Sequence, residues 1–177
     1  MSIRVLYPVD VLRHREATGL QRYAFELVAA LAGIAEVEVT VLCDDPEDVA
    51  GLPQNITRRV RGPLPGPLDR SLRGVFLPGW LNDYDVIHCP TVYGPFLRKP
   101  RGARMVATIH DLIPLVFADR VSRANRIWFR HVMPRILDNY DGLIAISEHT
   151  RRDMAHWWDI DPTGVTVIPE ASHLTPT

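Results

Sequence analysis

His110 and Asp111 stand side by side where the run Ala103-Arg104-Met105-Val106-Ala107-Thr108-Ile109 ends. That run is mostly apolar and partly β-branched, which reads as a fully buried parallel strand. Open α/β sheets bind ligands at the C-terminal ends of their strands, and an imidazole held there can bond to a ligand or exchange a proton with it. The adjacent carboxylate can fix the orientation of the ring or simply cap the turn that leads to Pro114; the sequence leaves both open. Gly19 offers a second kind of chemistry because it opens a helix. A helix N-terminus presents free N–H groups and a partial positive charge, which suits a diphosphate or another anion, and a missing side chain lets the anion come close. Tyr93, in the turn-rich stretch 90–102, and Ser147-Glu148, after the next apolar run, fall on the same edge of such a sheet.

Other chemistry-bearing residues carry less. His88 ends its own strand and reads as a packed core histidine. Asp83-Tyr84-Asp85 and Asp159-Ile160-Asp161 have the spacing of a metal–diphosphate site, yet both precede strands and so fall on the opposite edge, as solvated loop carboxylates. Cys43 and Cys89 show no ligand spacing, so neither a disulfide framework nor a zinc site is indicated. The phosphate-binding patterns GxGxxG and GxxxxGK[ST] are absent, as is GxSxG, which removes most support for NAD, ATP or a serine nucleophile.

The elements that must position these residues follow from periodicity. Ile3 to Tyr7 is a short strand ended by Pro8. After a polar loop, Thr18-Gly19-Leu20-Gln21 fits a capping box, with Thr18 as N-cap. Leu20, Tyr23, Ala24, Leu27, Val28 and Leu31 follow at helical spacing, and Val37 to Leu42 is the second strand: a right-handed β-α-β unit. Prolines interrupt residues 43–82, where Ile56 to Val60 reads as a strand and Leu68 to Leu81 as a poor helix. Asp85 to Cys89 is the strand before the opening one. Ser122 to Tyr140 is helical, with Pro134 expected to kink it. Gly142 to Ile146 is a strand, Ser147 caps the next helix, and Gly164 to Ile168 is the last strand. The alternation predicts an α/β, doubly wound, Rossmann-like parallel sheet of about seven strands over residues 1–168.

With 177 residues, 46% hydrophobic and 23% charged, the chain has the composition of an ordinary globular domain. A net charge of -1 gives no global pull toward nucleic acid. No apolar run reaches the length of a membrane span, and the expected compartment is the cytoplasm. Arg123, Arg126 and Arg130 share one helix face flanked by Arg120 and Trp128. A solvated face is the ordinary reading; an acidic acceptor or peripheral contact with an anionic membrane is the functional one.

Five segments in order now resemble one family. They are Thr18-Gly19-Leu20-Gln21-Arg22-Tyr23-Ala24-Phe25-Glu26-Leu27, Tyr84-Asp85-Val86-Ile87-His88, Thr108-Ile109-His110-Asp111-Leu112-Ile113-Pro114, Asp141-Gly142-Leu143-Ile144-Ala145-Ile146-Ser147-Glu148 and Val167-Ile168-Pro169. Together they resemble the N-terminal half of retaining GT-B glycosyltransferases of the family 4 type. The resemblance implies a cleft between two Rossmann-like halves, this one binding mainly the acceptor and the other the nucleotide-sugar. It implies that His110 contacts the transferred sugar and Gly19 lies by the donor diphosphate or the acceptor. Thr18, Asp111, Tyr93, Ser147 and Glu148 would complete the binding groups. No catalytic metal or other cofactor is implied, and the acceptor is a glycan, a lipid or a small molecule. Where the family has Pro-Asn-Gly after the last strand, this chain has Pro169-Glu170-Ala171, so the expected interdomain linker, residues 169–177, departs from the pattern. The C-terminal donor domain would follow, and residues 1–177 alone are expected to be inactive. The alternative is a non-catalytic acceptor-binding subunit of a split two-chain glycosyltransferase.

Overall fold

The computed structural model describes residues 2–9, 19–60, 79–91 and 98–170. Strands β1 (Ile3–Pro8), β2 (Val37–Cys43), β3 (Thr57–Val60), β4 (Val86–Cys89), β5 (Arg104–Ile109), β6 (Gly142–Ala145) and β7 (Val165–Val167) form one parallel sheet. Their spatial order is β3-β2-β1-β4-β5-β6-β7. This is a Rossmann-like, doubly wound sheet. The chain works outward from β1 through β2 and β3, then returns to the other side of β1 for β4. The reversal leaves a crevice at the C-terminal ends of β1 and β4, the place where such sheets take ligands.

Alternation along the strands separates two cores. Tyr7, Val39 and Val41 face α1 (Gly19–Ala32) together with Ala24 and Val28. Leu6 and Leu42 point to the other side and join Met105, Ile109, Phe129, Met133 and Met154. Pro8 is the last residue of β1, in register with Leu42. The buried stripe of α1 is Gln21, Ala24 and Val28, so the helix is turned slightly from the stripe its apolar residues predict, and Gln21 lies in the interface. Of the expected helix at 68–81, residues 68–78 lie outside the described ones; Gly79–Asp83 forms a 3-10 turn.

Beyond β5 come α2 (Ile113–Val116), α3 (Arg123–Ile127), a π turn at Trp128–Val132, and α4 (Met133–Leu137). The expected kink at Pro134 takes the form of this π turn. Proline has no N–H to give to Arg130, and the wider turn sends the N–H of Met133 to the carbonyl of Trp128 instead. The indole N–H of Trp158, at the end of α5 (Glu148–Trp158), donates to the carbonyl of Phe129 at 2.8 Å and ties the two helical segments together.

Both D-x-D strings serve local structure. Asp85 accepts the backbone N–H of Arg4 at 2.8 Å, Asp159 ends α5 with a left-handed φ of 54°, and Asp161 accepts the N–H of Thr163 at 2.9 Å. Among the described residues no helix is long and apolar enough to cross a membrane.

Candidate functional site

The registers Ile109↔Ala145 and Ala145↔Val167 bring β5, β6 and β7 to a common level. Residues just past their ends therefore emerge together, and His110 meets one of them, Glu170, along with Pro90 and Tyr23 from neighbouring elements. Its Nδ1 lies 2.8 Å from Glu170 Oε1, on the segment leaving β7. Its Nε2 lies 2.9 Å from the carbonyl oxygen of Pro90, just past β4. Its ring packs edge-on against Tyr23 of α1, with centroids 4.7 Å apart at 85°. The hydroxyl of Thr150 donates to the backbone carbonyl of His110 at 3.0 Å, which fixes the main chain as well. Both neighbours of the ring nitrogens are acceptors only. A neutral imidazole satisfies one of them and an imidazolium satisfies both.

A buried network lies beneath. The hydroxyl of Thr108 is 3.1 Å from the phenol oxygen of Tyr23 and 2.9 Å from Nε2 of His88. His88 meets the ring of Tyr7 edge-on at 5.4 Å. Burial pushes the His88 imidazole down to about 4, so it is neutral near pH 7. Burial also raises the phenols of Tyr7 and Tyr23. The floor of the site is thus an uncharged layer in which Thr108 bonds to Tyr23 and His88, and His88 is the packed core histidine its position predicts.

The other sequence-derived candidates divide. Ser147 is the N-cap of α5: its hydroxyl accepts the N–H of Thr150 at 3.0 Å, and so it acts on His110 through Thr150. Glu148 is exposed and pairs with Arg151 at 2.7 Å. Asp111 accepts the N–H of Ile113 at 2.9 Å, so of the two alternatives the turn cap is the one observed. Gly19 begins α1, one turn before Tyr23, and a Cβ added there meets nothing within 4 Å among the described residues. Thr18 and Tyr93 lie outside the described residues. Glu170 is the contact that sequence reasoning missed. The departure from Pro-Asn-Gly was its one visible sign, a carboxylate just past the last strand on the edge that carries His110.

Arg123 and Arg130 are exposed and Arg126 is half-buried. A cavity of about 350 Å³ is lined by Arg126, Arg130 and His131 together with Leu115, Ile127 and Trp157. Val116, Phe117, Ile127 and Trp128 leave apolar surface exposed on the same helical segments. Among the described residues no group of three or more His, Cys, Asp or Glu side chains could hold a metal ion.

The family model described as Glycosyltransferase Family 4 matches residues 17–171, which include α1, strands β2 to β7 and the His110 edge. The chain belongs to glycosyltransferase family 4. The fold of this family 4 domain is similar to the crystal structure of a glycosyltransferase from Rickettsia africae ESF-5, with a TM-score of 0.56 and 13% identity. The match covers 99% of this chain and 47% of that one, so the domain spans about half the length of the Rickettsia protein. At that identity the likeness speaks for the fold alone. No curated protein matches the sequence.

Proposed function

We propose that this family 4 domain is the N-terminal half of a retaining GT-B glycosyltransferase that moves a sugar from a nucleotide-sugar to an acceptor. The observation that carries the reading is the juxtaposition, at one sheet edge of a family 4 domain, of His110 with the first turns of α1. The acceptor lies over the C-terminal ends of β1, β4 and β5, and the nucleotide-sugar is held mainly by a second Rossmann-like half. His110 bonds to the transferred sugar after one of its ring nitrogens exchanges its present partner for a sugar hydroxyl. The free N–H groups of α1 beside Gly19 face the diphosphate or the acceptor. Thr18, Asp111, Tyr93, Ser147 and Glu148 complete the binding groups. The acceptor oxygen bonds to the anomeric carbon as the bond from that carbon to the diphosphate breaks on the same face, and the acceptor proton passes to the departing phosphate. This reading requires no metal or other cofactor, because the leaving diphosphate is stabilised by N–H donors and by charged groups of the second half.

The test is turnover. Residues 1–177 alone should release no nucleoside diphosphate with acceptor present, and the chain extended through an in-frame second α/β half should release it. Release by residues 1–177 alone would sink the half-site reading. Activity that requires a separate second polypeptide would move the assignment to a split two-chain enzyme.

The arginine-bearing helical segment is proposed to rest on an anionic membrane surface, with the exposed Val116, Phe117, Ile127 and Trp128 entering the interface. Binding to vesicles containing acidic lipid should fall by roughly fivefold for each of Arg123→Ala and Arg130→Ala, about 1 kcal/mol per charge. Equal binding to neutral vesicles would remove this surface from the proposal.

A further inference from the structure

We propose that Glu170 is a positioning residue for His110: its carboxylate, on the segment that leaves β7, selects the ring nitrogen that carries the proton and the direction in which the ring points. The main chain of His110 is already fixed by Thr150, so the side-chain torsions are what remain to be set. Tyr23 confines the plane of the ring from one side. Within that plane two acceptors compete, the Glu170 carboxylate at 2.8 Å from Nδ1 and the neutral Pro90 carbonyl at 2.9 Å from Nε2. A hydrogen bond to an ionised acceptor is roughly twice as strong as one to a neutral acceptor, so a neutral ring keeps its proton on Nδ1. The adjacent carboxylate of Asp111 is engaged with the N–H of Ile113. Tyr23, the other titratable group against the ring, has a phenol held in its neutral form by burial. Among the described contacts, then, Glu170 is the charged group that meets His110.

The placement of this contact gives it a second consequence. Glu170 stands three residues past the end of β7, a strand of three residues at the edge of the sheet. Movement of the segment after β7 withdraws the carboxylate from Nδ1 and returns the proton to Nε2, against Pro90. If the two-domain reading proposed above is right, that segment leads toward the second half, and the state of His110 follows the position of the linker. The contact itself does not depend on that reading.

Long-range 1H–15N spectra of the 177-residue chain, labelled on histidine, read the tautomer directly. The neutral ring of His110 should carry its proton on Nδ1 in the wild-type chain and on Nε2 in Glu170→Ala, a change in tautomer ratio on the order of tenfold. Glu170→Gln keeps an acceptor without the charge and should fall between them. Backbone amide spectra of all three chains should otherwise coincide, since Glu170 is 37% exposed. An unchanged tautomer in Glu170→Ala with the fold intact overturns the proposal. In a turnover-competent enzyme containing this chain, Glu170→Ala should lower kcat more than it raises KM. A tautomer change with kcat unaltered would uphold the positioning role and instead remove His110 from the reaction.

Discussion

His88 and His110 lie near the ends of neighbouring strands, yet they meet opposite surroundings. His88 pairs in register with Val106, and His110 comes four residues later on the same neighbour. The lower histidine is walled in by Tyr7 and by the hydroxyl of Thr108, and burial pushes it down to about 4. The upper one meets a carboxylate and a carbonyl carried by segments that leave other strands. Residue type is the same in both regions, and so is the sheet. What separates floor from rim is whether the ring's partners come from within the sheet or from chain that has just left it. A histidine of the first kind contributes to the fold. One of the second kind stands at the rim, where the proposed function places the ligand.

The sharpest way to break this contrast is to truncate each ring in turn. In a turnover-competent enzyme containing this domain, His110→Ala should lower kcat/KM on the order of 10²–10³-fold, about 3–4 kcal/mol, as loss of a preorganised donor does. Its melting temperature should stay within a few degrees. His88→Ala should give the reverse pattern, near-normal turnover per folded molecule with stability reduced by about 1–3 kcal/mol. If both variants lose stability and keep turnover, the rim is as structural as the floor.

Acid should act on the floor through His88. Unfolded His88 takes a proton near 6.5, while the folded form takes one near 4. Between those values the unfolded chain binds more protons, so stability rises with pH there: this contribution is complete above the upper value and is lost as pH falls toward the lower. Its full size is about 3 kcal/mol. Urea denaturation at about pH 7 and pH 5 should show a steeper loss for the wild type than for His88→Gln, which carries no titrating ring. Parallel losses would mean that other groups set the acid response.

The sequence carried the framework of this contrast but not its contacts. Seven strands were readable because most are short apolar runs, β5 above all, while β3 (Thr57–Val60) carries two arginines and was marked by Ile56 and Val60 at its ends. His88 was readable as core because it lies inside such a run. The burial of Gln21 was not, because the apolar residues of α1 point to a slightly different face. The π turn before Pro134 was hidden for a similar reason: periodicity shows that a proline must disturb a helix and leaves the form of the disturbance open. Glu170 was invisible as a partner because it lies sixty residues from His110, and only the register of three strands brings them level.

Gly19 extends the rim to the neighbouring helix. Gly19→Val adds a branched side chain in open space among the described residues, so the fold should tolerate it. Close approach of an anion to the first N–H groups of α1 would be blocked, and turnover should fall at least tenfold with the melting temperature nearly unchanged. Normal turnover would confine the rim to His110 and its partners.

The smallest expected effect tests the join between floor and rim. Tyr23 belongs to both: its ring packs on His110, while its hydroxyl lies 3.1 Å from Thr108, which also serves His88. Tyr23→Phe keeps the ring and removes the hydroxyl. Thr108 is left with His88 as its partner, so the loss is a single neutral hydrogen bond, about 1 kcal/mol of stability. If floor and rim are separate devices, kcat/KM should change by less than about threefold, because the edge-on contact that orients His110 survives. A large fall in kcat with the same small stability loss would mean that the hydroxyl relays the state of the buried layer to His110. In that case Tyr23→Phe should also change the tautomer of His110, which the same 1H–15N spectra would read.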